Sequence, residues 1–130
     1  MHGGSPVDAS STFRQGFGTG LGTDPNGDPI NGTVEQALAD LGHETDLVKL
    51  GLAGNLRDFT FTTSDGAVTA GEAIDYRGSA AGYADQPDET INYVDAHDNE
   101  TLYDLSVLKL PVDTPTVSYT HLTLPTTPYV

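Results

Sequence analysis

Cysteine is absent from this chain of 130 residues, so disulfides and cysteine-bound zinc are excluded and nothing marks a redox compartment. Basic residues are scarce, five against 19 acidic ones, for a formal charge of −14. That balance repels phosphate backbones and anionic lipid surfaces, so neither a nucleic acid nor a membrane is an expected partner. A neutral polymer is compatible with it, although acidity by itself also simply keeps a protein soluble. No apolar run is long enough to span a bilayer, and Met1-His2-Gly3-Gly4-Ser5-Pro6 has neither the basic nor the apolar segment of a signal peptide. With 36% apolar residues the length is that of one ordinary domain.

Residues 1–32 are rich in glycine and proline, and only Phe13 and Phe17 offer substantial surface to bury. They read as loop, with the composition of a segment disordered in isolation. Within it, Asp24, Asn26, Asp28 and Glu35 occupy positions one, three, five and twelve of an EF-hand-like calcium loop. Pro29 stands at position six, where the sharp turn needs glycine, and no helix precedes the loop. A series of type I turns is therefore the favoured reading, and no cofactor is expected.

Thr33-Val34-Glu35-Gln36 is a capping box, which predicts a helix from Val34 to about Gly54 with Val34, Ala37, Leu38, Leu41, Val48 and Leu52 on one buried face. Gly42 inside it costs about 1 kcal/mol relative to alanine. His43 reads as solvent-facing, because no second ligand is placed to share a metal. From Arg57 to Ile74 the period becomes two: Phe59 and Phe61 alternate with polar residues, Ser64-Asp65-Gly66 turns the chain, and Ala67-Val68-Thr69 pairs back as a hairpin. Tyr76, Arg77 and Tyr83 follow in a glycine-rich segment. Aromatics there can stack on sugar rings, but packing of the loop onto the core is the favoured role. Asp85-Gln86-Pro87-Asp88 closes the segment as a loop.

Strand-like, chemically reactive and helix-starting residues then meet in one stretch. Ile91–Val94 are of β-preferring type, His97 and Asp98 are adjacent, and Asn99 can cap a helix carrying Leu102, Leu105 and Leu108 inward until Pro111 ends it. A strand, a polar turn and a helix in that order place His97-Asp98 where parallel α/β folds, (β/α)8 barrels above all, carry catalytic groups.

Tyr93-Val94-x-x-His97-Asp98-Asn99-x-Thr101-Leu102 resembles the fourth signature region of pullulanases, α-1,6-debranching enzymes of the α-amylase superfamily (glycoside hydrolase family 13). The likeness extends back through Asn31-Gly32-Thr33, the run from Thr45 to Asp58 and Ala81-Gly82-Tyr83. The resemblance implies an α/β fold class: residues 1–115 as part of a (β/α)8 TIM barrel, comprising a late strand, its catalytic loop and the following helix, with a helix and hairpin as decoration before them. It also implies an α-glucan partner and hydrolysis of branch linkages in pullulan, starch or glycogen with retention. Asp98 would be the third carboxylate, stabilising the transition state, with His97 and Asn99 binding the same sugar. The family's nucleophilic aspartate and acid glutamate have no counterpart between Met1 and Thr90, so the chain by itself is expected to be inactive. Asp95 and Glu100 cannot replace them, because two side chains on one turn do not straddle a glycosidic bond at the roughly 5–5.5 Å between carboxyls that retention requires. The resemblance further implies that Met1 falls inside a far larger, bacterial protein, so that the missing signal segment would not bear on where that protein works.

An isoamylase-like or glycogen-debranching enzyme of the same superfamily is one alternative, separated from a pullulanase by the nucleophile and acid regions that lie elsewhere. Another, of a different class, is a small acidic calcium-binding or carbohydrate-binding module built on Asp24, Asn26, Asp28, Glu35 and the loop tyrosines. After Pro115 the pattern stops. Residues 116–130, from Val117 on almost free of charge, resemble translated adapter tails and are expected to be foreign to the natural protein.

Overall fold

The computed structural model describes residues 2–94, Ala96 and residues 98–115. The chain divides into two compact units, one running from Ala39 to Tyr93 and the other taking the residues up to Leu38 and those from Val94 onward. The described residues hold two α-helices, α1 (Val34–Leu52) and α2 (Leu102–Lys109), and four short strands, β1 (Thr60–Thr62), β2 (Val68–Ala70), β3 (Asp75–Tyr76) and β4 (Ser79–Ala80). The strands form two antiparallel hairpins, β1 with β2 and β3 with β4. The one parallel contact among the described residues is an isolated bridge between Leu56 and Ala84.

The capping box forms as its sequence dictates. Thr33 N donates to Gln36 Oε1 at 2.8 Å, and Gln36 N donates to Thr33 Oγ1 at 3.3 Å. At the other end Gly54 takes the left-handed conformation (φ 83°). Asn55 N then donates to Leu50 O and Gly54 N to Gly51 O, which closes the helix in a Schellman motif. The expected end near Gly54 is therefore the cap, with α1 itself finishing at Leu52.

The expected buried face of α1 needs correction. Of the expected face Ala37 is buried, but Val34, Leu38 and Leu52 are 69, 51 and 73% exposed, whereas Leu50 and Asp46 are buried. Leu50 lies roughly half a turn of the helix away from that stripe, at about 100° per residue. The core of this unit is Leu50 with Ile74 and Ala81, flanked by Leu47 and Phe61. The β1–β2 hairpin decides which face is covered, because it is tied to α1 through a charged residue. Both oxygens of Asp46 accept from Ser64 N, at 3.0 and 2.9 Å, and Asp46 Oδ2 also accepts from Ser64 Oγ at 2.8 Å. Lys49 Nζ stands 3.4 Å from Asp46 Oδ1. A carboxylate so satisfied can be buried.

The hairpin follows the expected register, Thr60 opposite Ala70, Phe61 opposite Thr69 and Thr62 opposite Val68. Phe59 and Phe61 stack with centroids 5.6 Å apart. In the turn, Thr63 Oγ1 and Ala67 N donate to Asp65 Oδ1. The Thr63 bond first, then the Ala67 amide, hold the Asp65 carboxyl below its ordinary range. Tyr76 and Tyr83 are 51 and 60% exposed, so the expectation that they pack onto the core is also corrected. His43 is exposed on α1, as expected.

The other unit is held differently. Its first part is loop with two 3-10 turns, Phe17–Thr19 and Pro29–Asn31. What orders that loop is Lys109, which is fully buried at the end of α2. Its ammonium donates to the carbonyls of Gly4 (2.7 Å), Ser11 (3.1 Å) and Arg14 (2.8 Å). The buried Gln15 adds bonds from Nε2 to Thr19 O and Asp24 O at 2.7 and 2.8 Å. Asn26 Nδ2 donates to Lys109 O and Phe13 O, while its Oδ1 accepts from Asp28 N and Asn31 Nδ2. Asp28 Oδ1 caps Ile30 N. Asn26 and Asp28 are thus committed to loop geometry, and among the described residues no three His, Cys, Asp or Glu side chains are grouped to hold a metal ion.

Two further expectations change here. Ile91–Val94 is not a strand but irregular chain, since β-preferring residues make a strand only where a neighbour accepts their backbone bonds. The N-cap of α2 is Thr101 and not Asn99. Asp104 N donates to Thr101 Oγ1 while Thr101 N donates to Asp104 Oδ2, a reciprocal box. Leu102 and Leu105 are buried as expected, but Leu108 is 38% exposed and Lys109 takes the inward position. Residues 116–130 lie outside the described residues, and with them the expected foreign tail. Among the described residues no helix is long and apolar enough to cross a membrane.

Candidate functional site

The stretch that carries the chemistry is approached through bonds to the end of α1. Thr90 Oγ1 donates to Gly54 O at 3.1 Å and Asn92 Nδ2 donates to Leu52 O at 3.4 Å. The Leu52 carbonyl is one that a helix end leaves without an intrahelical partner, and Gly54 is the residue that closes the cap. Beyond Thr90 the side chains open outward: Ile91 is 87% exposed, Tyr93 68% and Val94 43%.

Asp98 and Asn99 lie exposed in the turn before α2, with Glu100 half-buried behind them. His97 and Asp95 lie outside the described residues. The start of α2 is fixed by the Thr101–Asp104 box, and the far end of the helix by the Lys109 ammonium. Asp98, three residues before that cap, is therefore held by sequence distance to a helix anchored at both ends. Its carboxylate is open to a ligand, and the Asn99 amide beside it offers both a donor and an acceptor.

One such carboxylate can orient and stabilise, but glycoside hydrolysis needs an acid and a nucleophile across the scissile bond as well. Separately, an open cleft of about 550 Å³ is lined by Phe17, Gly20, Asp24, Leu110 and Asp113, among others, and does not include Asp98. Asp24, one of the residues weighed for calcium, lines that cleft through ordinary loop structure.

Three residues that support this site, Thr101, Asp104 and Lys109, are not among those expected from the sequence. Thr101 with Asp104 repeats the pattern of a hydroxyl followed three residues later by an acid, and that signal was present. Lys109 gave only the weak signal of a cation in a helix's last turn, which ordinarily points to solvent. Nothing local marks it as buried, because its acceptors stand 95 to 105 residues earlier.

No family model matches the chain. Curated relatives do. It is 45% identical over 107 residues to a pullulanase of Klebsiella aerogenes, covering 81% of this chain and 9% of that protein. It is 39% identical over 112 residues to a chloroplastic pullulanase of Arabidopsis thaliana, covering 85% of this chain and 11% of the relative. Among solved structures, Klebsiella pneumoniae pullulanase complexed with maltotriose superposes with a TM-score of 0.79 at 38% identity, over 92% of this chain and 11% of that one. The ligand-free PulA of the same organism gives 0.76 at 39% identity, over the same shares. The chain thus spans about a tenth of the length of the relatives it matches. With sequence identity of this order along most of its length and the backbone path of solved pullulanases, the chain belongs to the pullulanase family of glycoside hydrolases.

Proposed function

We propose that this chain supplies the third-carboxylate region of a retaining hydrolase that cuts α-1,6-glucosidic branch linkages in pullulan, starch or glycogen. The observation that carries the reading is Asp98 standing exposed at the mouth of a doubly anchored helix, in a chain of the pullulanase family. In this reading the Asp98 carboxylate accepts hydrogen bonds from sugar hydroxyls at the cleavage subsite. Those bonds strengthen as the ring flattens toward an oxocarbenium-like transition state, and binding that strengthens there lowers the barrier. His97 and Asn99 grip the same sugar. A nucleophilic carboxylate and a carboxylic acid come from the remainder of the enzyme, roughly 5–5.5 Å apart across the bond.

The same reading accounts for the exposed apolar run. Ile91–Val94 becomes a strand of a (β/α)8 barrel once neighbouring strands pair with it, which sends the following turn to the catalytic face. Residues 1–115 then belong to that barrel domain and residues 116–130 do not. The binding of maltotriose by the Klebsiella pneumoniae pullulanase supports an α-glucan as the partner.

The test is transplantation. The matching segment of a full-length pullulanase is replaced by residues 2–115, and reducing sugar released from pullulan is measured beside that from the free chain. The hybrid is expected to hydrolyse pullulan and the free chain to release nothing. Hydrolysis by the free chain, or a folded hybrid without activity, contradicts the proposal.

A further inference from the structure

Of the described residues, two without a glycine's freedom take positive φ, Asn55 at 52° and Arg77 at 53°. Asn55 is accounted for by the motif that closes α1, and asparagine tolerates that region. Arg77 has no such account. It sits with Gly78 (φ 87°) in the two-residue turn between β3 and β4, where both central residues are left-handed. Asparagine or glycine fills such a position freely, whereas another L-residue costs about 1–2 kcal/mol.

Among the described residues no side-chain hydrogen bond or ion pair of Arg77 to the fold offsets that cost. Lys49 bonds Asp46 and Thr62 O, Arg57 bonds Tyr83 O and Asp85, and Lys109 bonds three carbonyls. The Arg77 guanidinium instead lies 5.6 Å from the centroid of the half-exposed Tyr76 ring. The turn beneath is rigid: Asp75 pairs with Ala80 and Tyr76 with Ser79. Asp75 Oδ1 accepts from Gly78 N at 3.0 Å, and Ala81 N donates to Ile74 O at 2.8 Å. Strain kept at an exposed tip that needs none points to a ligand.

We infer that the Tyr76–Arg77 tip is a second contact for the α-glucan chain, away from the Asp98 turn in sequence and in the other compact unit. The ring offers an apolar face to a glucose unit, and the guanidinium, already oriented by the ring, donates to its hydroxyls. A neutral polyol suits the site better than an anion, since the chain carries a formal charge of −14 and Asp75 adjoins the tip. The choice of glucan rests on the function proposed above.

The test titrates the 130-residue chain with maltotriose and, separately, with inorganic phosphate, following the amide signals of Tyr76 to Ala80. The Asp75–Ala80 cross-strand contact is verified first. Maltotriose is expected to shift these amides saturably. Arg77→Asn keeps the turn and weakens binding about tenfold, and Tyr76→Ala does likewise. No shift, an equal affinity in Arg77→Asn, a response to phosphate but not to maltotriose, or an absent cross-strand contact each overturns the inference. A hybrid enzyme that hydrolyses pullulan while these amides stay still sinks only this inference. A saturable shift beside an inactive hybrid sinks only the proposed function.

Discussion

The two compact units of this chain are built on opposite principles. Ala39–Tyr93 is contiguous, and its fold comes from short-range rules: a helix stop at Gly54, a hairpin through Ser64-Asp65-Gly66 and a small apolar core at Leu50, Ile74 and Ala81. The other unit joins the first 38 residues to those from Val94 on. It is tied by polar bonds that span most of the chain, with Lys109 at their centre. The difference teaches that a glycine-rich loop can take one shape while burying little apolar surface beyond Leu21, when its carbonyls converge on a donor. It also places the candidate catalytic turn in the unit held by long-range polar bonds.

The sharpest way to break the comparison is to remove that donor. Lys109→Met keeps the length of the side chain and leaves three carbonyls without their partner, which should cost about 3 kcal/mol. Hydrogen exchange should quicken at Thr19, Leu21 and Asp24, whose amides belong to the loop, and stay unchanged at Phe61 and Thr69. Uniform loss across both units would show that they do not differ as described. The converse variant, Leu50→Ala, should cost about 2–3 kcal/mol by opening a cavity under the first hairpin. Its protection loss should concentrate between residues 46 and 81 and spare the loop.

The smallest effect sharpens the comparison through pH. The folded pKa of Asp65 lies below the ordinary aspartate value of 3.8. Its contribution to the turn is therefore fully present above that value and disappears as pH falls through the folded pKa. The side-chain carbon of Asp65 should titrate below 3.8, and Asp65→Asn should remove that acid dependence from the amide of Ala67. A normal titration midpoint would mean that the Thr63 and Ala67 bonds do not hold in solution.

What the sequence revealed divides by the range of the interaction, not by unit. Thr33 and Gln36 announced the start of α1 because capping acts over three residues, and Phe59 to Thr69 announced a hairpin because pairing there is local. The sequence did not reveal which face of α1 is buried. An apolar stripe says that a face is able to pack, whereas the cover on Leu50 depends on where Asp46 captures Ser64. Nor did it reveal Lys109, whose acceptors Gly4, Ser11 and Arg14 lie a whole chain away.

At the candidate site, Asp98 and Asn99 were legible as a polar turn before a helix, and they stand exposed. Asn99 is a good capping residue by type, but the Thr101–Asp104 box satisfies two amides where Asn99 could satisfy one. The strand expected at Ile91–Val94 failed for a plain reason. A strand is a relation between segments, and no residue type can create its neighbour.

The central claim is that Asp98 acts on the glucan in the transition state. The direct measurement is the turnover of pullulan by the hybrid enzyme carrying Asp98→Asn, beside its folded stability and its KM. The two side chains are nearly isosteric, so the account predicts unchanged melting and a kcat lower by about 10²–10³. Near-normal kcat in a folded Asp98→Asn hybrid would contradict it.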